Sequence, residues 1–176
     1  MPPKNKVDKE QIIEAAFDIM KKEGFEAITT RRLADILQCS TQPIYYTFKN
    51  MEDLKKEVYV KACKFFEQEV YKRKNPNDIE FLAVGVSYIM TAKEERNLFR
   101  FITMGNNYSL QGVEELVKGA NLPNKESYLF LNMWIYAHGI ATIVASNDVG
   151  VKEENIRALL LKAEQGFEKV YLRGEV

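Results

Sequence analysis

Apolar positions recur along this chain with the period of a helix. Ile13, Phe17 and Met20 form one stripe, with Ile12 and Ala16 beside it, the three-to-four spacing that buries one helical face. Asp8 followed three residues later by Gln11 is a capping-box start, and Gly24 after Lys21-Lys22 is a stop. A first helix over 9–23 is expected. Thr29 or Thr30 can cap a short second helix with Leu33, Ala34 and Leu37 inward. Ser40 then caps a third, with Ile44 and Phe48 on one side and Pro43 in its first turn, where a missing N–H costs little. Asn50 opens a long fourth helix with Asp53 at N3 and Leu54, Val58, Ala62, Phe65 and Val70 inward.

The run Lys72-Arg73-Lys74-Asn75-Pro76-Asn77 ends that helix and marks the best domain boundary. Beyond it, Ile79–Thr91 is apolar nearly all round, and Leu98–Met104 follows. Gly105-Asn106-Asn107 reads as a loop, 112–118 as a weaker helix and 121–124 as a break. Two long helices over about 125–146 and 152–172 close the chain. No alternating strand-length run or hairpin turn competes, so the fold class is all-α. The expected organisation is a three-helix head over 1–50, a linking helix to about 74, and a helical body over 75–176.

Composition narrows the function. The net charge is zero, but residues 1–74 carry fifteen Lys/Arg against twelve Asp/Glu, and 75–176 carry ten against thirteen. That slight basic excess has the sign expected of a DNA-facing N-terminal part. Cys39 and Cys63 stand alone without a Cys/His cluster, which fits a reducing cytoplasm, and no metal or other cofactor is expected. The N-terminal residues lack the apolar stretch of a signal peptide. Residues 127–147 contain no Asp, Glu, Lys or Arg, and a run of ~20 apolar residues can span a bilayer. Asn132, His138, Gly139, Thr142 and Ser146 interrupt it and no basic cluster flanks it, so a helix buried within protein is the expectation, with no membrane partner. One histidine, no GxSxG, no glycine-rich loop and scattered carboxylates offer no catalytic constellation, so an enzyme is not expected.

Residues 29–48 carry the strongest signal. Two short amphipathic helices across a tight turn make a helix-turn-helix, whose second helix enters the major groove. With Ile44 and Phe48 on the core side, Thr41, Gln42 and Tyr45 project from the other side as candidate base-edge contacts. Gln pairs bidentately with adenine, while Thr and an aromatic ring meet a thymine methyl. Thr29, Thr30, Arg31, Tyr46 and Lys49 are candidates for phosphate contacts.

Ile12-x-x-Ala15-Ala16, Gly24-Phe25, Thr29-Thr30, Leu33-Ala34, Ser40, Ile44-Tyr45-Tyr46-Thr47-Phe48-Lys49-Asn50 and Glu52-Asp53-Leu54 together resemble the head of the tetracycline-repressor (TetR) family. The resemblance covers roughly residues 8–60. It implies an all-helical homodimer whose body binds a small molecule that releases the head from double-stranded operator DNA. Twofold symmetry makes that operator an inverted repeat, and the Met and aromatic residues of the body suit a mostly apolar effector. Three residues depart from the family pattern. Gln38 stands where a turn glycine is usual, Met51 where a phosphate-binding lysine is common, and Pro43 where a threonine is frequent. Lys49 or Lys55 must then substitute, or the lysine contact is lost.

In the body, Tyr88, Met90, Phe99, Phe101, Met104, Tyr108, Met133 and Trp134 are candidates to line an effector pocket, because Met and aromatic side chains adapt to varied apolar ligands. The helix over 125–146 has two apolar faces, Leu129, Met133, Tyr136, Ile140 and Ile143 along one, and Phe130, Trp134, Ala137, Ala141 and Ala145 along the other. Such a helix needs two partners. The last helix offers Ile156, Leu160, Ala163, Phe167 and Val170. As the family resemblance implies, these two helices and their mates make a four-helix dimer interface, with Tyr136, Ile140, Ile156, Leu160, Ala163 and Phe167 in it. Trp134…His138-Gly139 is similar to a Trp…His-Gly signature in one branch of TetR-like C-terminal domains. A DNA-binding protein without a small-molecule effector, architectural or partner-controlled, is the alternative.

Overall fold

The computed structural model describes residues 7–104, 125–147 and 149–170. Among these, every regular element is helical: α1 Lys9–Glu23, a 3-10 turn Phe25–Ala27, α2 Thr30–Ile36, α3 Gln42–Thr47, α4 Met51–Arg73, α5 Glu80–Glu94, α6 Arg96–Met104, α7 Lys125–Ser146 and α8 Glu153–Glu168. The expected loop at 105–107, helix at 112–118 and break at 121–124, and with them Tyr108, lie outside the described residues, as does the Met104 side chain. The chain divides into two compact units between Phe65 and Phe66, inside α4.

The N-terminal unit is built on α1. Its Asp8 carboxylate accepts from the Gln11 N–H at 2.8 Å, and the Asp8 N–H donates to Gln11 Oε1 at 3.0 Å, so the capping box is complete. Gly24 ends the helix at φ +91°, a conformation that an L side chain resists. The buried face is Ile12, Ile13, Ala15, Ala16, Phe17, Ile19 and Met20. The start of α4 lies along α1. Lys9 pairs with Glu57, Lys61 reaches Glu14 at 2.5 Å and Glu10 at 3.6 Å, and the Phe17 and Phe65 rings meet edge-on at 5.4 Å. The inward stripe of α4 is Leu54, Val58, Ala62, Phe66 and Val70, spaced four apart. Phe66 therefore takes the place expected for Phe65, which packs beside Phe17 instead, under the Lys21 ammonium.

In the C-terminal unit α5 packs on α7 and α8, and α7 also packs on α6 and α8. Gly85 sits where a Cβ would come within 3.0 Å of Leu160 Cδ1, so α5 and α8 approach closely there. Leu160 and Ile156 are fully buried in this contact. They are core residues of the protomer, not part of an open seam, which removes both from the expected dimer interface. The buried positions of α7 are Met133, Ala137, Ala141, Val144 and Ala145, while Ile143, expected to share a face with Met133, is 56% exposed. Ala137, Ala141 and Ala145 belong to the second expected face, which is the one that α5, α6 and α8 cover, with Met133 and Val144 beside it. By length and composition alone Tyr128–Ser146 could cross a membrane; here its buried positions face those three helices.

Ion pairs fix the connection after α4. Arg73 pairs with Glu94 at the end of α5, and Arg157 on α8 bonds Asp78 at 2.7 Å. Lys93 donates to the Val151 carbonyl at 2.6 Å and holds the α7–α8 loop.

Candidate functional site

The turn between α2 and α3 is closed by backbone. Cys39 N–H donates to Ala34 O at 3.0 Å and Gln38 N–H to Asp35 O at 3.3 Å, the paired bonds of a Schellman ending. Gln38 occupies its left-handed position at φ +50°, where glycine is free of strain. Thr29 caps α2 by accepting from the Arg32 N–H at 3.2 Å, and the Arg32 guanidinium bonds Glu23 and so ties α2 to the end of α1. That hydrogen bond lowers the Glu23 carboxyl below its ordinary value.

The N-cap of α3 is Thr41, one residue later than the expected Ser40, and Pro43 stands within the first turn. Ile44 and Phe48 are buried, which fixes the rotation of the helix. Thr41 and Gln42 are exposed on the surface with Tyr45, which is 63% exposed, and Tyr46 at 82%. The Gln42 amide donates to the Tyr46 hydroxyl at 3.1 Å, an i,i+4 contact that orders the Gln42 side chain. Arg31 and Lys49 are exposed, and Thr30 is half-buried. Thr30, Ile44, Tyr45, Phe48, Asn50, Met51 and Leu54 line a shallow, mostly apolar groove beside this surface. Met51, which departs from the lysine common in the family at this place, lines that groove.

Lys55 does not reach this surface. Its side chain is only 8% exposed and its ammonium lies 5.3 Å from the centre of the Phe25 ring, so it is withdrawn from the phosphate set. Lys49 is left as the lysine beside α3.

In the C-terminal unit five rings converge: Phe66, Tyr88, Phe99, Trp134 and His138. Phe66, Tyr88 and Phe99 lie 5.6–5.8 Å apart pairwise. His138 is 5.8 Å from Phe99 and stacks on Trp134 at 5.1 Å and 12°. The Tyr88 hydroxyl lies 2.8 Å from His138 Nδ1. Burial pushes the Tyr88 phenol up and holds the His138 imidazole below its ordinary value. Of the expected pocket residues, Tyr88, Phe99 and Trp134 meet in this cluster; Phe99, Phe101 and Met133 are buried. His138, expected as a hydrogen-bonded helix residue and not among the pocket candidates, is hydrogen-bonded here, but its partner Tyr88 lies fifty residues away and has no local signal. Among the described residues no group of His, Cys, Asp or Glu is arranged to hold a metal ion.

Residues 12–58 match the family of bacterial regulatory proteins, tetR family. The N-terminal unit carries a tetR-family helix-turn-helix domain. The match takes in the tetR-type elements from α1 into α4 and spans the whole exposed surface of α3. Two solved structures share the fold of the longer chain. One, described as the multidrug binding protein EbrR complexed with imidazole, is 19% identical, covers 88% of each chain and superposes with a TM-score of 0.58. The other, a transcriptional regulator from Rhodococcus sp. Rha1, is 12% identical, covers 97% of this chain and 99% of its own, and has a TM-score of 0.61. No curated protein sequence matches the chain.

Proposed function

We propose that this protein is a cytoplasmic transcriptional regulator that binds an inverted-repeat operator as a homodimer and is released by a small, mostly apolar effector. The observation that carries the reading is the surface of α3: Thr41, Gln42 and Tyr45 stand exposed while Ile44 and Phe48 anchor the helix from behind, in a tetR-type head. Thr41, Gln42 and Tyr45 reach base edges; Thr29, Thr30, Arg31, Tyr46 and Lys49 meet phosphates. A twofold dimer presents two such helices, so the site is palindromic with half-sites about 34–36 Å apart.

The dimer forms through α7 and α8. Ile135, Gly139 and Ile143 make an exposed, uncharged stripe on α7, and Leu159 and Val170 extend it from α8 and the residues after it. The half-buried Tyr136, Ile140, Ala163 and Phe167 flank it. Exposed apolar surface of this kind is what a partner subunit covers. The effector enters the body near the aromatic cluster, where Trp134…His138-Gly139 is similar to the Trp…His-Gly branch, and the structural likeness to a multidrug binding protein fits a small-molecule role. α4 runs unbroken from Met51 to Arg73, ~35 Å at the helical rise, and carries displacement at its body end towards the head. The protein is not an enzyme and uses no metal.

Selection of bound fragments from a random DNA pool tests this. An enriched inverted repeat, with affinity falling steeply as salt rises, is the expected result. Equal binding to all sequences at moderate salt would sink the regulator reading.

A further inference from the structure

The cluster in the C-terminal unit leaves one polar group unspent. Tyr88 makes one hydrogen bond, to His138 Nδ1 at 2.8 Å. With the phenol as donor its proton is used by Nδ1, whereas in the reverse direction that proton meets no acceptor among the described residues. Taking Tyr88 as the donor, Nδ1 accepts and the imidazole proton sits on Nε2. Nε2 bonds no described residue, and His138 is half-buried, not sealed. His138 thus offers an accessible N–H at the edge of an aromatic cluster, its ring held on one side by Trp134 and its tautomer by Tyr88. A donor orientated by two neighbours and used by neither is the arrangement of a recognition group in a mostly apolar site.

The charge around it narrows the ligand. Residues 127–147 hold no Asp, Glu, Lys or Arg, and the five rings of the cluster carry no formal charge while His138 is neutral. A cation would meet an N–H pointing at it and no counter-ion from these residues. An anion would give up its water for one donor. A neutral acceptor loses least and gains the bond.

We propose that His138 is a ligand-binding residue of the body, donating from Nε2–H to an uncharged, mostly apolar molecule that bears a carbonyl or ring-nitrogen acceptor. This deepens the effector reading above and rests on it for its regulatory meaning only. Binding itself is read without DNA.

The chain has one histidine and one tryptophan, stacked on each other, so both report the same place without engineering. Histidine 15N spectra of the full-length protein near neutral pH give the tautomer directly, and a protonated Nε2 is expected; a dominant Nδ1–H form overturns the proposal. Three bicyclic probes of similar size then separate the ligand classes: coumarin with a carbonyl, naphthalene without an acceptor, and the N-methylquinolinium cation. Coumarin should shift the His138 Nε2 resonance, perturb Trp134 emission, and bind about five- to tenfold tighter than naphthalene, the worth of one neutral hydrogen bond. In His138→Phe that preference should vanish while naphthalene still binds. Should this variant fail to fold, Tyr88→Phe, which frees Nδ1 and mixes the tautomers, should shrink the preference instead. Equal binding of coumarin and naphthalene, tightest binding of the cation, or no response at Trp134 and His138 to any probe at millimolar concentration refutes it. Coumarin binding that leaves operator affinity unchanged would refute effector release, and leave the ligand site standing.

Discussion

Gln38 shows how a single side chain can be out of keeping with its backbone. Its left-handed φ costs about 1–2 kcal/mol for an L residue, partly offset by the extra freedom that glycine has when unfolded. Gln38→Gly should raise stability by up to about 1 kcal/mol, visible as a few degrees in thermal unfolding, with α3 undisturbed. The exposed residues of α3 make a different test. Alanine at Gln42 or Tyr45 should relax operator preference, each base contact being worth about 1–3 kcal/mol of discrimination, whereas Lys49→Ala should weaken all sequences alike and reduce the salt slope. Equal, preference-free losses for all three would reverse the assignment of roles. His138 should leave a mark on pH dependence. Its folded pKa lies below the ordinary 6.5, so the unfolded chain takes up the proton first as pH falls. Its contribution is complete above that value and is lost below it, down through the folded pKa. Melting temperature should therefore drop between pH 7 and 5.5 more steeply in the wild type than in His138→Gln; parallel profiles would show that burial of the ring carries no such penalty.

Among the elements, those whose signals are local were legible in sequence. α1 spans Lys9–Glu23, the bounds expected from Asp8, Gln11 and Gly24, because caps act within one turn. α7 spans Lys125–Ser146, also as expected. The cap of α3 falls at Thr41 and not at Ser40; Thr41 is already helical in φ and ψ and its side chain makes no cap bond, so no capping signal marks the start. Phe65 and Phe66 were not separable by period because either continues an apolar run. Ile156 and Leu160 expose the deeper limit: periodicity tells which face of α8 is apolar, and cannot tell whether the same chain or another copy covers it. The distinction is measurable. Leu160→Ala removes a fully buried side chain and should cost about 2–5 kcal/mol of protomer stability. Ile143→Asp, on the exposed stripe of α7, should leave the protomer folded but monomeric and unable to hold an inverted repeat. A stable, DNA-competent dimer carrying Ile143→Asp would place the interface elsewhere.

For the whole molecule, release by an effector requires unequal binding to the DNA-bound and free forms. A coupling of ~1–3 kcal/mol gives a 5–150-fold loss of operator affinity, and reciprocity demands that operator DNA weaken the effector by the same factor. Paired titrations by calorimetry check this, and unequal factors would mean that the two ligands are not linked through one equilibrium. The division inside α4 has a further consequence. Phe65 gives its ring to Phe17 and the next residue, Phe66, gives its ring to Tyr88 and Phe99, so adjacent positions belong to separate cores. A gene fusion cut between these two codons would carry each set of packed rings across whole. That peptide bond is the natural seam for grafting this reading head onto a foreign sensor.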